Sequence, residues 1–399
     1  MQTKILAIAA AALLAGACMD VGEPYNIATQ LYTLSVQVVY PEGATPQEGA
    51  EVNIQDINGD MDYSVYTDGN AFASLLVPNG LFRIMVRDRD KENIYNATAD
   101  KVLVNGADVS LSMTLKGAKA GAFVLKEIYC GGCSKAPLSG TWQSDPYVII
   151  HNNAPEVQYL DGLCFGVLAP SNATATNYWL LDSGDLREDF VPIYQAILMF
   201  PGSGTDFPLQ PGEDAVLVLC GAIDHTQQYP LSVNLNNPDY FVCYSPDFPN
   251  TLYHPTPGDL IRQDHYMEIV VKTGIANAYT MSINSPAVVL FRPVGTDIHT
   301  YAKDPLHQPQ RKSETVVSIP PEWIIDAVEV FNGMSSGNKK RLIDVLDSGY
   351  ITLSDTHQGY SLMRKADDDA TQKNGYQYLQ DSNNSTLDFY ERSTQSLHQ

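Results

Sequence analysis

Residues Phe123–Gly166 read FVLKEIYCGGCSKAPLSGTWQSDPYVIIHNNAPEVQYLDGLCFG, and it is the run-and-break pattern of this stretch that decides the fold class. Val124, Ile128, Val148, Ile150 and Leu163 are apolar positions inside β-prone runs, while Gly, Pro, Ser and Asn-Asn fill the breaks as turn formers. The pattern predicts three consecutive strands of one β-domain, which the chain beyond Gly166 has to complete.

Outward from that stretch, composition bounds the rest. The chain has 399 residues, more than one ordinary domain holds, with 44% hydrophobic and 18% charged residues; that is ample for proper cores. Lys+Arg number 24 against 46 Asp+Glu, a formal charge of −22. Such a balance repels phosphates and anionic head groups, so nucleic acid is not expected as a partner. The 28 Gly, 24 Pro and 23 Tyr, with few helical runs past the N-terminus, favour a mainly β chain.

Residues 1–17, MQTKILAIAAAALLAGA, join one early charge, Lys4, to an apolar run ending in small residues. This is the pattern of a secretory signal, too short to span a membrane. Leu14-Ala15-Gly16-Ala17-Cys18 resembles a bacterial lipobox, with Ala15 standing where leucine is commonest. The resemblance implies lipidation of Cys18, and several acyl chains on one residue make such an anchor effectively permanent. The alternative is a plain secretory signal beside an incidental cysteine. Residues 18–30 then read as a tether. Asp20 and Glu23 resemble the acidic export signals of Bacteroidetes surface lipoproteins, which implies an outer-membrane location facing the cell exterior, with the periplasmic face as the alternative.

Residues 31–116 keep a period of two, beginning with Tyr32-Thr33-Leu34-Ser35-Val36. The Gly49-Ala50-Glu51-Val52 start, the Thr67-Asp68-Gly69-Asn70 step and the Val77-Pro78-Asn79-Gly80 turn resemble the carboxypeptidase regulatory-like, transthyretin-type β-sandwich. That resemblance implies a stalk or spacer without an active site. Asp56 to Asp62 spaces oxygen side chains as a calcium loop does, but Met61 and Thr67 stand where such a loop needs Gly and Glu. A solvated hairpin turn around Asn58-Gly59 is the expectation. Lys116 to Gly121 is a small-residue stretch, and residues 117–121 are read as the linker.

Residues 122–399 form the second module. Val124–Tyr129, Asp145–Asn153 and Tyr159–Cys164 resemble the lamin-tail-like fold, an Ig-like sandwich, with Ile149 in place of an acidic residue and His151 in place of an aromatic one. Leu209–Leu219, Gly359–Lys365 and Leu379–Phe389 extend the match, and the whole resembles a family of Bacteroidetes lipoproteins built on a domain of unknown function and often encoded beside TonB-dependent receptors. The predicted fold is therefore two β-sandwiches, the second interrupted by an insertion at about 176–278 that is too long for a plain connection. That segment carries Tyr240, Phe241, Tyr244, Phe248 and Tyr253 near His225, His254 and His265. Aromatic-rich loops on a rigid sandwich stack on a sugar, a haem or a peptide, or else plug the insertion onto the frame. His225, Tyr240, Phe241, Tyr244, Tyr253 and His254 are the candidate ligand-binding residues.

Beyond Cys18 the chain has Cys130, Cys133, Cys164, Cys220 and Cys243, an odd count for an exported protein. Cys130-Gly131-Gly132-Cys133 has redox spacing, but no helix follows to lower a thiol pKa, so a local disulfide is expected ahead of a metal or redox centre. Cys164 and Cys220 sit in apolar runs, which suits buried packing or a cross-strand bridge. No zinc, phosphate-loop, dinucleotide or nucleophile-elbow pattern occurs, so neither cofactor, metal nor catalytic residue is expected. The expectation for function is a non-catalytic surface lipoprotein that binds a ligand or partner, as an accessory of TonB-dependent uptake of an iron or cofactor compound. An adhesin or assembly protein is the alternative, and a hydrolase with its site in the insertion a third.

Overall fold

The computed structural model describes residues 30–44, 49–90 and 93–398. Cys18, the signal and nearly all of the tether lie outside the described residues. No helix among the described residues is long and apolar enough to cross a membrane.

The first module is a β-sandwich. Leu31–Val39 lies between Phe72–Pro78 and Val109–Thr114 in a three-stranded sheet. Asp62–Tyr66, Glu51–Asp56, Gly80–Arg89, Asn93–Val104 and Lys116–Lys119 follow one another across a five-stranded sheet. Alternation sends Leu34, Val36 and Val38 inward from the first sheet against Val52, Ile54, Phe82 and Ile84 from the second. At the Asp56–Asp62 turn the Asn58 N–H donates to Asp56 Oδ1 at 3.0 Å. The expected linker is partly a strand, because Lys116–Lys119 pairs antiparallel with Asn93–Asn96. The Asn93–Asn96 strand would otherwise leave its outer backbone groups unpaired, and this stretch of small residues satisfies them.

The second module is a larger sandwich. In its six-stranded sheet Phe123–Tyr129 lies centrally between Tyr147–Asn152 and Ser361–Arg364, with Asp214–Val218 and Phe241–Val242 beyond one side and Phe389–Arg392 beyond the other. The facing seven-stranded sheet runs Glu268–Lys272, Val191–Met199, Cys164–Leu168, Ala287–Phe291, Ile324–Asn332 and Ile351–Leu353, with Val317–Ile319 added to Val191–Ile193. Two of the three predicted strands of Phe123–Gly166 are present in the six-stranded sheet; the expected third, over Tyr159–Cys164, is largely a turn, and the strand that follows, Cys164–Leu168, belongs to the facing sheet.

Tyr147–Asn152, Cys164–Leu168 and Ala287–Phe291 are buried at every position, which explains the apolar runs Tyr147–Ile150 and Ala287–Phe291 and leaves His151 and Asn152 as buried polar residues. Leu125, Ile128, Val148 and Ile150 meet Phe165, Val167, Leu198 and Leu290 between the sheets. The outer faces are covered too: Ile298 and Ala302 pack behind Val289 and Phe291, and Val233 and Leu235 pack over Tyr129, Tyr147 and Ile149.

Residues 176–278 are therefore not an insertion into a finished sandwich. Val191–Met199 is an interior strand of one sheet and Asp214–Val218 of the other. Without them both sheets would be cut back and the shared core opened.

Buried charge fixes the closing segments. Arg364 reaches Asp326 Oδ2 at 2.6 Å, Asp381 Oδ1 at 3.3 Å and Asp388 Oδ2 at 3.6 Å, with its guanidinium 4.6 Å from the Phe389 ring centroid. Arg341 donates from Nη2 to Glu329 Oε1 at 2.5 Å, both side chains being inaccessible to solvent. Each ion is costly to bury and persists because partners surround it. His151, the residue in place of an aromatic, is also buried, its ring nitrogens 2.6 Å from Asp214 Oδ1 and 2.9 Å from Gln377 O.

Candidate functional site

The segment over the outer face of the six-stranded sheet starts at a sharp turn. Gly221 has φ +62°, and a Cβ there would lie 2.1 Å from Ser144 O and 2.5 Å from His225 Nε2. The turn lets the His225 imidazole donate from Nε2 to Gly221 O at 2.7 Å, with its ring centroid 5.4 Å from that of Trp142. His225 is 3% exposed, and burial pushes its pKa down to about 4, against the bond to Gly221. It is a neutral side chain holding a turn.

Farther on, carboxamides order the loop. Asn234 Oδ1 accepts the Asn236 N–H at 2.9 Å, Asn236 Oδ1 accepts the Leu260 N–H at 3.0 Å, and Asn237 Oδ1 accepts the Asp239 N–H at 3.0 Å. These bonds pin the oxygens and leave amide hydrogens of Asn234 for other acceptors, while the Asn237 amide is turned toward Tyr240. Tyr240 is half-buried; burial raises its pKa, opposed by a hydrogen bond from Asn237, so it stays a neutral phenol.

Opposite stands the C-terminal tail. Ser396 N–H donates to the buried Glu127 Oε1 at 3.0 Å, Arg392 Nη1 donates to Ser396 Oγ at 2.6 Å, and His398 Nδ1 lies 2.9 Å from Ser232 O. Between tail and loop lies a groove of about 340 Å³ lined by Thr226, Pro230, Asn234, Asn236, Asn237, Tyr240, Ser396 and Leu397. None of these side chains is ionic at neutral pH, and the volume is at the small end of the roughly 300–1,000 Å³ of ligand pockets.

The other candidate residues fall elsewhere. Phe241 is 4% exposed, stacked on His265 at 4.4 Å and edge-on to Phe200 and Phe207. His254 is likewise 4% exposed; its Nδ1 donates to Cys243 O at 3.0 Å and its Nε2 accepts from the Tyr279 N–H at 3.0 Å, while burial lowers its pKa. Tyr244 meets Tyr266 edge to face at 5.7 Å. Tyr253 lines a smaller hollow of about 200 Å³ with Gln143, Pro146, Cys220 and Thr280. Of the six candidate ligand-binding residues, Phe241, His225 and His254 are interior because the segment packs its rings onto the sheet. Tyr240 alone of the six lines the groove.

Cys130 and Cys133 are free buried thiols, not a disulfide. Cys130 turns into the core between the sheets, whereas Cys133 pairs with Trp142 in a short ladder on the side of Tyr129 and Asp145. Burial pushes both thiols up to about 12. Cys164, Cys220 and Cys243 are also buried and unpaired. Among the described residues no group of three His, Cys, Asp or Glu is placed to hold a metal.

Sequence reasoning missed Thr226, the three asparagines and the tail. The Asn-rich run Val233-Asn234-Leu235-Asn236-Asn237 beside Tyr240 was a usable signal, whereas nothing local ties Ser396 and Leu397 to it.

Fold and groove together define a mainly β protein of two sandwich modules with a polar groove on the outer face of the larger one. Residues 210–396 match the model of a family described as a protein of unknown function, DUF4876. A crystal structure of a DUF4876 family protein from Bacteroides thetaiotaomicron is 24% identical, covers 90% of this chain and 94% of its own, and superposes with a TM-score of 0.56. A DUF3823 family protein from Parabacteroides merdae, 11% identical over 48% of this chain and 82% of its own, gives 0.18. The Bacillus anthracis TIE protein, 12% identical over 46% of this chain and 31% of its own, gives 0.16. The first superposition shares the fold; the other two scores are too low to bear on it. Comparison with curated proteins found no match.

Proposed function

We propose that this is a non-catalytic lipoprotein, anchored through Cys18 and facing the cell exterior, that captures a ligand or partner beside a TonB-dependent nutrient receptor. The observation that carries the reading is the groove itself, an open, uncharged, hydrogen-bonding surface on a rigid sandwich. The acid–base and nucleophilic candidates elsewhere in the module support binding over turnover, since His225 and His254 are neutral and hydrogen-bonded to backbone carbonyls, and Cys130 is held protonated by burial. The lipobox-like run ending at Cys18 supports the anchor.

The test has two arms in the native host. Cys18→Ala is expected to move the protein into the soluble fraction, and continued membrane retention would sink the anchor. The wild-type chain is expected to co-purify with an outer-membrane barrel from detergent extracts, and a deletion strain to grow slowly on one limiting nutrient. Isolation of the chain alone, with unimpaired growth under every limitation tried, would overturn the uptake role.

A further inference from the structure

We infer that the groove between Asn234–Tyr240 and the C-terminal tail takes a neutral, polyhydroxylated ligand of the saccharide class, an inference that rests on reading this groove as the binding face. Charge narrows the choice first. The chain carries a formal −22, and the groove places no lysine or arginine among its lining residues to attract an anion. A carboxylate- or phosphate-bearing ligand would enter against that net charge, and the Arg392 guanidinium behind the lining is already engaged with Ser396 Oγ. A cation would find no carboxylate in the lining to replace its water.

What the groove offers is neutral hydrogen bonding in both directions. Carboxamides donate and accept at once, as does the Tyr240 hydroxyl; Thr226, whose hydroxyl hydrogen goes to Asp224 Oδ1 at 2.6 Å, offers an acceptor, and Ser396, which accepts from Arg392, offers a donor. Vicinal hydroxyls on a sugar ring need this mixture, because each donates one bond and accepts others. The oxygen of Asn234 is already fixed by a backbone N–H group, so its amide hydrogens are oriented before a ligand arrives. Little ordering cost is then left for binding. The second requirement is an apolar platform for the C–H face of the ring, and the half-buried Tyr240 with Leu397 supplies it. The volume of about 340 Å³ suits a compact ligand or the end of a longer chain rather than a macrocycle.

The experiment is calorimetric titration of the full chain in detergent with a panel of neutral mono- and oligosaccharides, alongside haem and short peptides. At least one saccharide is expected to bind, with an affinity nearly unaffected by added salt because no ionic contact is made. Tyr240→Ala is expected to weaken it by about tenfold, and Tyr240→Phe to keep most of the affinity; Asn234→Ala gives a second variant should Tyr240→Ala melt early. Saccharide binding that survives both alanine variants, or a panel in which only haem or peptide binds, overturns the inference. If no saccharide binds yet Tyr240→Ala abolishes co-purification with the barrel, the ligand class is wrong and the binding role stands. If Tyr240→Ala changes neither, both fail.

Discussion

Asp145 shows what burial does to one carboxylate. Its Oδ2 accepts from Ser232 Oγ at 2.5 Å and from Tyr129 OH at 3.3 Å, while Oδ1 has no partner among the described residues. Burial lifts its pKa to about 6 in spite of the hydrogen bonds from Ser232 and Tyr129. In the unfolded chain it returns to about 3.9. Between those values the native state keeps a proton that the unfolded state releases, so stability falls as pH rises from about 4 to 6 and levels off above. Asp145→Asn removes this term. Its stability relative to wild type should improve across that window by on the order of 3 kcal/mol, read from urea melts at several pH values. A pH-independent difference would show that Asp145 is not the group that titrates.

Turns and strands differ in how much they reveal from sequence alone. Gly221→Ala asks a residue at φ +62° to accept a methyl group 2.1 Å from a carbonyl oxygen; a loss of roughly 2–3 kcal/mol is expected. Gly69→Ala, with nothing within 4 Å of the new methyl, should be close to neutral when thermal melts of the two variants are compared. Equal melting of the two variants would remove the case that the Gly221 turn holds the loop. The strands Phe123–Tyr129 and Tyr147–Asn152 were legible because turn formers bound apolar runs, a local signal, whereas Cys164–Leu168 starts where the expected third run ends. Their sheet membership was not, because partners such as Ser361–Arg364 lie far along the chain. The same limit made Val191–Met199 and Asp214–Val218 look like parts of an insertion: their β character was readable, their partners were not. At the groove, Tyr240 could be picked out by type, but its neighbour Phe241 could not be told from it. Only the fold shows which of the two faces the core.

At the scale of the whole molecule the two sandwiches are joined by more than the covalent chain. Arg83 Nη2 donates to Tyr350 OH at 2.5 Å with its guanidinium 4.7 Å from that ring's centroid, and the buried Asn96 donates from Nδ2 to Ser382 O and Asn383 O, each at 3.2 Å. Asn384 returns a bond to Thr98 Oγ1 at 3.3 Å. Scanning calorimetry of the wild-type chain should therefore give one cooperative transition, and the double variant Arg83→Ala/Asn96→Ala should split it into two. Two transitions in the wild type would mean that the modules unfold independently. The central place of Phe123–Tyr129 also governs how the molecule comes into being. That strand is finished only when Ser361–Arg364 arrives beside it, so the sheet's middle waits on a loop closure of more than two hundred residues. Until then an apolar, hydrogen-bond-hungry edge stands open to other chains. The topology itself thus makes the half-built sheet, rather than any surface of the finished molecule, the place where this chain is most open to aggregation.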